Sequence, residues 1–315
     1  MKRLKVFSCL IVLQVFLVIP AVAETPVFPG VQTGDREDDS KVESIINQVK
    51  EYRKAGNFEE ALKLLKIALE KFPQKEYRER LQVERADLHR EWALSLYKKY
   101  DYPNAIKHFE MVYAIDRNYR PKKAAITLGY IGFLYSALGQ KRKALEYYEK
   151  ALSIFQVVGD RVEEATTLNN IGRVYSDLGQ KQKALEFYQE ALPIQKEVGN
   201  RAGEATTLNN IGLVYYALGQ NQKALEFLQE ALPIVHAVGN RAGEAKTLNN
   251  IGGVYYALGQ NQKALEFYQE ALPIQKEVGD RAGEAKTLNN IGAVYSALGQ
   301  NQKALEFYQE VLPIR

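Results

Sequence analysis

The sequence predicts an all-α, right-handed α-solenoid built from stacked antiparallel helical hairpins, and three observations carry that reading. First, the 315-residue chain repeats itself every forty residues: RAGEATTLNNIGLVYYALGQNQKALEFLQEALPIVHAVGN at 201–240 matches RAGEAKTLNNIGGVYYALGQNQKALEFYQEALPIQKEVGD at 241–280 at 33 of 40 positions. Second, Gly132, Gly172, Gly212, Gly252 and Gly292 mark the same point in five successive copies. Third, each copy contains two runs of apolar residues at helical spacing with a glycine between them. Self-similarity at such a period means units that bury their faces only against their neighbours.

From the N-terminus, Lys2, Arg3 and Lys5 precede an apolar run from Val6 to Ile19, and Ala21-Val22-Ala23 follows with small-x-small spacing. Residues 1–23 therefore read as a secretory signal peptide, with an uncleaved membrane anchor as the alternative. The protein is expected to be exported, to the periplasm or the outside of the cell, and to meet a membrane only through this segment. Residues 24–40, rich in Pro, Gly and acids, read as a flexible linker. Residues 41–75 and 76–120 are two divergent units, the second with a long first helix starting near Tyr77. Units 121–160, 161–200, 201–240, 241–280 and 281–315 then follow, the last of them truncated.

Within a unit, Leu208, Ile211, Gly212, Tyr215 and Leu218 fall on one face of a first helix. Gly219 stands where that helix should stop, because glycine enters the left-handed cap without steric cost. Ala224, Leu228, Ala231 and Leu232 mark the inner face of a second helix, closed by Gly239. Asn240 and its equivalents Asp160, Asn200 and Asp280 are placed to cap the next first helix. Pro193, Pro233, Pro273 and Pro313 sit inside second helices, where the missing N–H predicts a kink or local break.

These positions resemble the tetratricopeptide repeat family: Leu168, Ile171-Gly172 and Tyr175 in the first helix, then Ala184, Tyr188 and Ala191 in the second. The forty-residue form with LNNIG is similar to the repeats of kinesin light chain and of bacterial exported relatives, over residues 41–315. The resemblance implies a right-handed superhelix whose first helices line a concave groove.

The phrase TLNNIG, at Thr167 and again from Thr207, Thr247 and Thr287, places two asparagines mid-helix, where asparagine is a poor resident. Helical spacing puts Asn170, Asn210, Asn250 and Asn290 on a stripe turned away from the packed face. By resemblance that stripe faces the groove, so these four are expected to form a ladder of carboxamides able to pair with an extended peptide backbone. Asn169, Asn209, Asn249 and Asn289 are read instead as structural, solvated or bonding between units. Arg173, Lys246 and Lys286 lie on the same stripe and add a preference for acidic ligands or a free carboxylate. Tyr216 and Tyr256 flank it and could stack on a partner.

Reaction chemistry has no support in the sequence. His89, His108 and His236 show no paired spacing and no cysteine neighbours, so neither a metal site nor a cofactor is expected. The repeated glycines are packing or capping positions rather than a phosphate loop. Without Lys2, Arg3 and Lys5 the basic residues fall from 42 to 39 against 38 acidic ones, a near-neutral balance with no footprint for nucleic acid. The sole cysteine, Cys9, lies inside the leader.

The expected function is therefore non-catalytic: an exported scaffold for a protein or extended peptide, not an enzyme. Two alternatives stay open. One is a sensing arm of a caspase-like (CHAT-type) protease system whose effector domain is absent. The other is a structural module self-associating through the uncapped C-terminal face left by Leu312-Pro313-Ile314-Arg315.

Overall fold

A computed structural model describes residues 36–314. The expected leader, residues 1–23, and residues 24–35 of the expected linker lie outside the described residues. Among the described residues there are fourteen α-helices and one closing 3-10 turn. They are α1 (Arg36–Lys54), α2 (Phe58–Lys71), α3 (Lys75–Lys98), α4 (Tyr102–Tyr119), α5 (Pro121–Ala137), α6 (Lys141–Val158) and α7 (Arg161–Asp177). Then follow α8 (Lys181–Glu197), α9 (Arg201–Ala217), α10 (Asn221–Ala237), α11 (Arg241–Ala257), α12 (Asn261–Glu277), α13 (Arg281–Ala297) and α14 (Asn301–Val311). Consecutive helices pair as antiparallel hairpins, and among the described residues the hairpins fall into two compact units that divide between residues 159 and 160.

Local signals explain the boundaries. The side chains of Asp160, Asn200, Asn240 and Asp280 each accept a hydrogen bond from a backbone N–H three residues on, at 3.3, 3.0, 2.9 and 2.9 Å. This satisfies one of the orphan donors at each helix start. Gly219, at φ +73°, takes the left-handed conformation that ends α9, and Gly239, at +68°, does the same after α10.

Two sequence expectations need correction. Residues 36–40, assigned to the linker, form the first turn of α1. Glu37, Asp38 and Asp39 favour a helix start through the macrodipole, and Arg80 of α3 ties down Asp39 and Glu43. The prolines also do less than expected: α8, α10 and α12 continue unbroken through Pro193, Pro233 and Pro273. Each of these rings lies on the exposed side of its helix. Only Pro313 coincides with an end, in the 3-10 turn Leu312–Ile314 after α14.

In the second unit each second helix packs on the first helix of the following hairpin. Ala224, Leu225 and Leu228 of α10 bury against Ile251 and Val254 of α11. Ala264, Leu265 and Tyr268 of α12 do the same against Ile291 and Val294 of α13. Leu225 is 4% exposed, whereas its counterpart Leu305 on α14 is 48% exposed. Closing that difference contributes about 1 kcal/mol of burial per side chain. Successive first helices α7, α9, α11 and α13 also touch one another, while no comparable contact joins the second helices. First helices therefore line the inner side of this unit. Among the described residues, no helix is long and apolar enough to cross a membrane.

Candidate functional site

The inner face of residues 160–315 gathers the sequence-predicted positions, and the asparagines there are tied. Asn210 donates from Nδ2 to Oδ1 of Asn169 at 3.1 Å, Asn250 to Asn209 at 3.1 Å, and Asn290 to Asn249 at 3.2 Å. The first-position residues also engage the threonine of the next hairpin. Thr207 donates to Asn169 at 3.3 Å, Thr287 donates to Asn249 at 2.9 Å, and Asn209 donates to Thr247. Each NN pair thus serves as a clasp between neighbouring hairpins, which is why a poor helix former recurs mid-helix.

This reshapes the ladder. Asn210, Asn250 and Asn290 are half-buried and in file, but each has one amide hydrogen committed to the preceding hairpin. The expectation of carboxamides wholly free to pair with a peptide gives way to a file offering, from each residue, one oxygen and one hydrogen. Asn170 is 7% exposed, so little of it meets solvent. Asn209 and Asn249 are buried structural residues, at 7% and 5%, whereas Asn289, with no following repeat in this sequence, is exposed.

Charge on the face is unevenly distributed. Lys246 and Lys286 are exposed and form no ion pair among the described residues. The Lys246 ammonium is pushed below its ordinary value, first by the surrounding protein and then by the cations Arg173 and Lys286. Three hairpins therefore contribute positive charge to this face. Tyr216 and Tyr256 are each 38% exposed.

Beneath them lies Tyr268, whose phenol is pushed up by burial and then by the nearby Tyr216 and Tyr256. A Cβ at Gly253 would sit only 3.6 Å from the Tyr268 hydroxyl. Where the preceding hairpin has Leu213 and Leu228, this one has Gly253 and a buried Tyr268. The sequence reading missed Tyr268, which shares its position with Tyr188 and Tyr308.

The first unit holds polar groups that spacing did not reveal. His89 and His108, expected to be unpaired, meet at 2.9 Å between their Nδ1 atoms. The α3–α4 turn brings together residues nineteen apart. Burial pushes His89 down to about 4, with His108 and Arg85 adding to the effect. Asp116, fully buried, is held by Arg90 and by Arg120 at 2.6 Å, and both arginines also grip Asp87. These charges satisfy one another and read as structure. Among the described residues, no group of three or more His, Cys, Asp or Glu could hold a metal.

A solenoid of helical hairpins with one polar, cationic inner face is an interaction scaffold. The tetratricopeptide repeat model matches residues 84–156, 123–197, 163–237 and 243–315. The chain belongs to the tetratricopeptide repeat family. No curated protein matches it. Among solved structures, BtubC (BKLC) from P. vanneervenii is 26% identical, over 68% of this chain and 88% of that one, with a TM-score of 0.59. The Podosopora anserina putative kinesin light chain repeats are 22% identical, over 62% of this chain and 96% of that one, with a TM-score of 0.52. The Rap protein complexed with Competence and Sporulation Factor is 14% identical, over 87% of this chain and 97% of that one, with a TM-score of 0.56. The last two share the fold alone.

Proposed function

We propose that the chain is a non-catalytic scaffold whose residues 160–315 hold an extended segment of a partner protein on their inner face, with an acidic side chain or free carboxylate beside Lys246 and Lys286. What supports this reading is that the inner face carries the cations Arg173, Lys246 and Lys286 with no ion pair to Lys246 or Lys286 among the described residues, and that after burial the other two cations help lower the Lys246 ammonium. An anion entering there removes repulsion already present in the unliganded protein. The free oxygens of Asn210, Asn250 and Asn290 can accept backbone N–H groups, and Tyr216 and Tyr256 offer rings to apolar side chains. The Rap neighbour, complexed with Competence and Sporulation Factor, is consistent with occupancy of such a fold by a partner.

The test uses a fluorescent peptide of alternating Glu and Ala with a free C-terminus. Lys246→Glu/Lys286→Glu is expected to weaken its binding at least tenfold with helicity unchanged. Equal binding by both forms would sink the proposal. Export is part of the same reading, and mass spectrometry of protein from the native envelope should find a chain beginning at Glu24.

A second reading, self-association, is favoured by the exposure of Leu305, Tyr308 and Leu312 on the last hairpin. Light scattering of residues 24–315 should then show a dimer that Leu305→Lys/Leu312→Lys dissociates. A monomer at high concentration rules it out.

A further inference from the structure

Away from the inner face, the edge between the two hairpins α9–α10 and α11–α12 holds a recess of about 550 Å³. Its walls are apolar, from Leu232, Pro233, Leu248 and Ile274, and its polar groups are His236, Glu244 and Glu270. Glu244 is occupied: Arg241 donates to it at 2.6 Å, and His236 lies 3.0 Å away through Nδ1. Glu270 is exposed and has no ion-pair partner among the described residues.

One hairpin earlier the same positions show what is missing. There Lys196 stands where His236 stands here, and its Nζ lies 3.0 Å from Glu230 and 3.9 Å from Glu204. Glu230 and Glu204 are the forty-residue equivalents of Glu270 and Glu244, and Leu192, Pro193, Leu208 and Ile234 are the equivalents of the recess walls. The protein thus carries a template in which a lysine side chain crosses this edge and lodges its ammonium between the two carboxylates. His236 is too short to repeat that bridge to Glu270; the hairpin after it returns to Lys276, which makes no such bridge among the described residues, so Lys196 is the one template.

We propose that the recess at His236 is a binding site for a lysine side chain of a partner polypeptide, which replaces the internal lysine that this hairpin lacks. The unpaired Glu270 supplies the counter-charge, with Glu244 beside it already held by Arg241 and His236, and the apolar walls cover the four-carbon stem, as lysine stems cover apolar surface elsewhere in proteins. The site is separate from the inner face, so a partner can be gripped at its acidic segment and at a lysine independently.

The test follows side-chain methyl resonances of the full chain during titration with Nα-acetyl-lysine N-methylamide, using the norleucine analogue as the uncharged control. Saturable shifts confined to Leu232, Leu248 and Ile274 are expected with the lysine probe and not with norleucine. His236→Lys, which copies the neighbouring hairpins and therefore fits the fold, should weaken the probe at least tenfold. Glu270→Gln should weaken it severalfold, and Lys246→Ala/Lys286→Ala should leave it unchanged. No shift with the lysine probe, an equal response to norleucine, or wild-type binding by His236→Lys would each overturn the proposal.

Discussion

Asn209 and Asn289 stand in the same six-residue phrase, yet the same substitution should act on them in opposite directions. Asn209→Ala removes the amide bond to Thr247 and the oxygen that Asn250 donates to. At about 1 kcal/mol per lost hydrogen bond, that costs ~2 kcal/mol. Alanine's better helix propensity returns roughly 0.6 kcal/mol, leaving a net loss near ~1.5 kcal/mol. Thr247 keeps its bond to the Gly243 carbonyl at 2.8 Å, so no larger penalty accrues there. Asn289 is exposed, so Asn289→Ala should gain about 0.5 kcal/mol from propensity alone. Asn250→Ala falls between, losing one bond at a half-exposed position, and should couple to Asn209→Ala by about 1 kcal/mol in a double-mutant cycle. Urea unfolding followed by circular dichroism, compared at equal m-value, measures all four variants. If Asn209→Ala and Asn289→Ala change stability by the same amount, the clasp is not what the asparagines are for.

Gly252→Ala places a Cβ 2.7 Å from the Tyr268 ring, and overpacking of this kind should cost about 1–3 kcal/mol in the same unfolding assay; a neutral result would mean the hairpin can open. Stability held by neutral His89 is complete above its ordinary value of 6.5 and is lost as pH falls towards its folded value of about 4. That acid loss, up to about 3 kcal/mol, should flatten in His89→Gln, and an unchanged pH slope would assign it to other groups. Pro193→Ala restores a helical N–H inside α8 and should raise the thermal midpoint, with a gain of roughly 1–3 kcal/mol; a lowered midpoint would show that α8 depends on its proline.

The repeat made the fold legible because helical spacing, caps and glycine stops recur with the same register in each copy. Asn240 caps and Gly219 stops because each acts within one turn of chain, where sequence distance and spatial distance agree. The candidate site was legible only as a stripe. Placing Asn250 on the inner face needed helical periodicity alone, but its bond to Asn209 spans forty-one residues and depends on the stacking distance between hairpins. The His89–His108 contact and the Asp87–Arg90–Asp116–Arg120 cluster lie in the divergent hairpins, where no second copy exists against which to compare them. Residues 36–40 looked like linker by composition, and only the distant Arg80 reveals what fixes them.

The near-identity of the copies also tells where recognition can be written. Hairpins 201–240 and 241–280 differ at seven positions, and the clasp residues are not among them. Asn240 and Asp280 both cap a helix, so that exchange changes nothing in the fold. Leu213 and Leu228 become Gly253 and Tyr268, whose buried hydroxyl lies close to Gly253. Thr206 becomes Lys246 on that same face. The remaining three, Val235-His236-Ala237 against Gln275-Lys276-Glu277, fall together at the end of the second helix, beside the recess. A chain free to vary anywhere has varied on two surfaces and kept the hydrogen bonds that hold hairpin to hairpin. The TLNNIG phrase therefore belongs to the scaffold, and any selectivity this protein has must reside in the lysines, tyrosines and single histidine that interrupt its monotony.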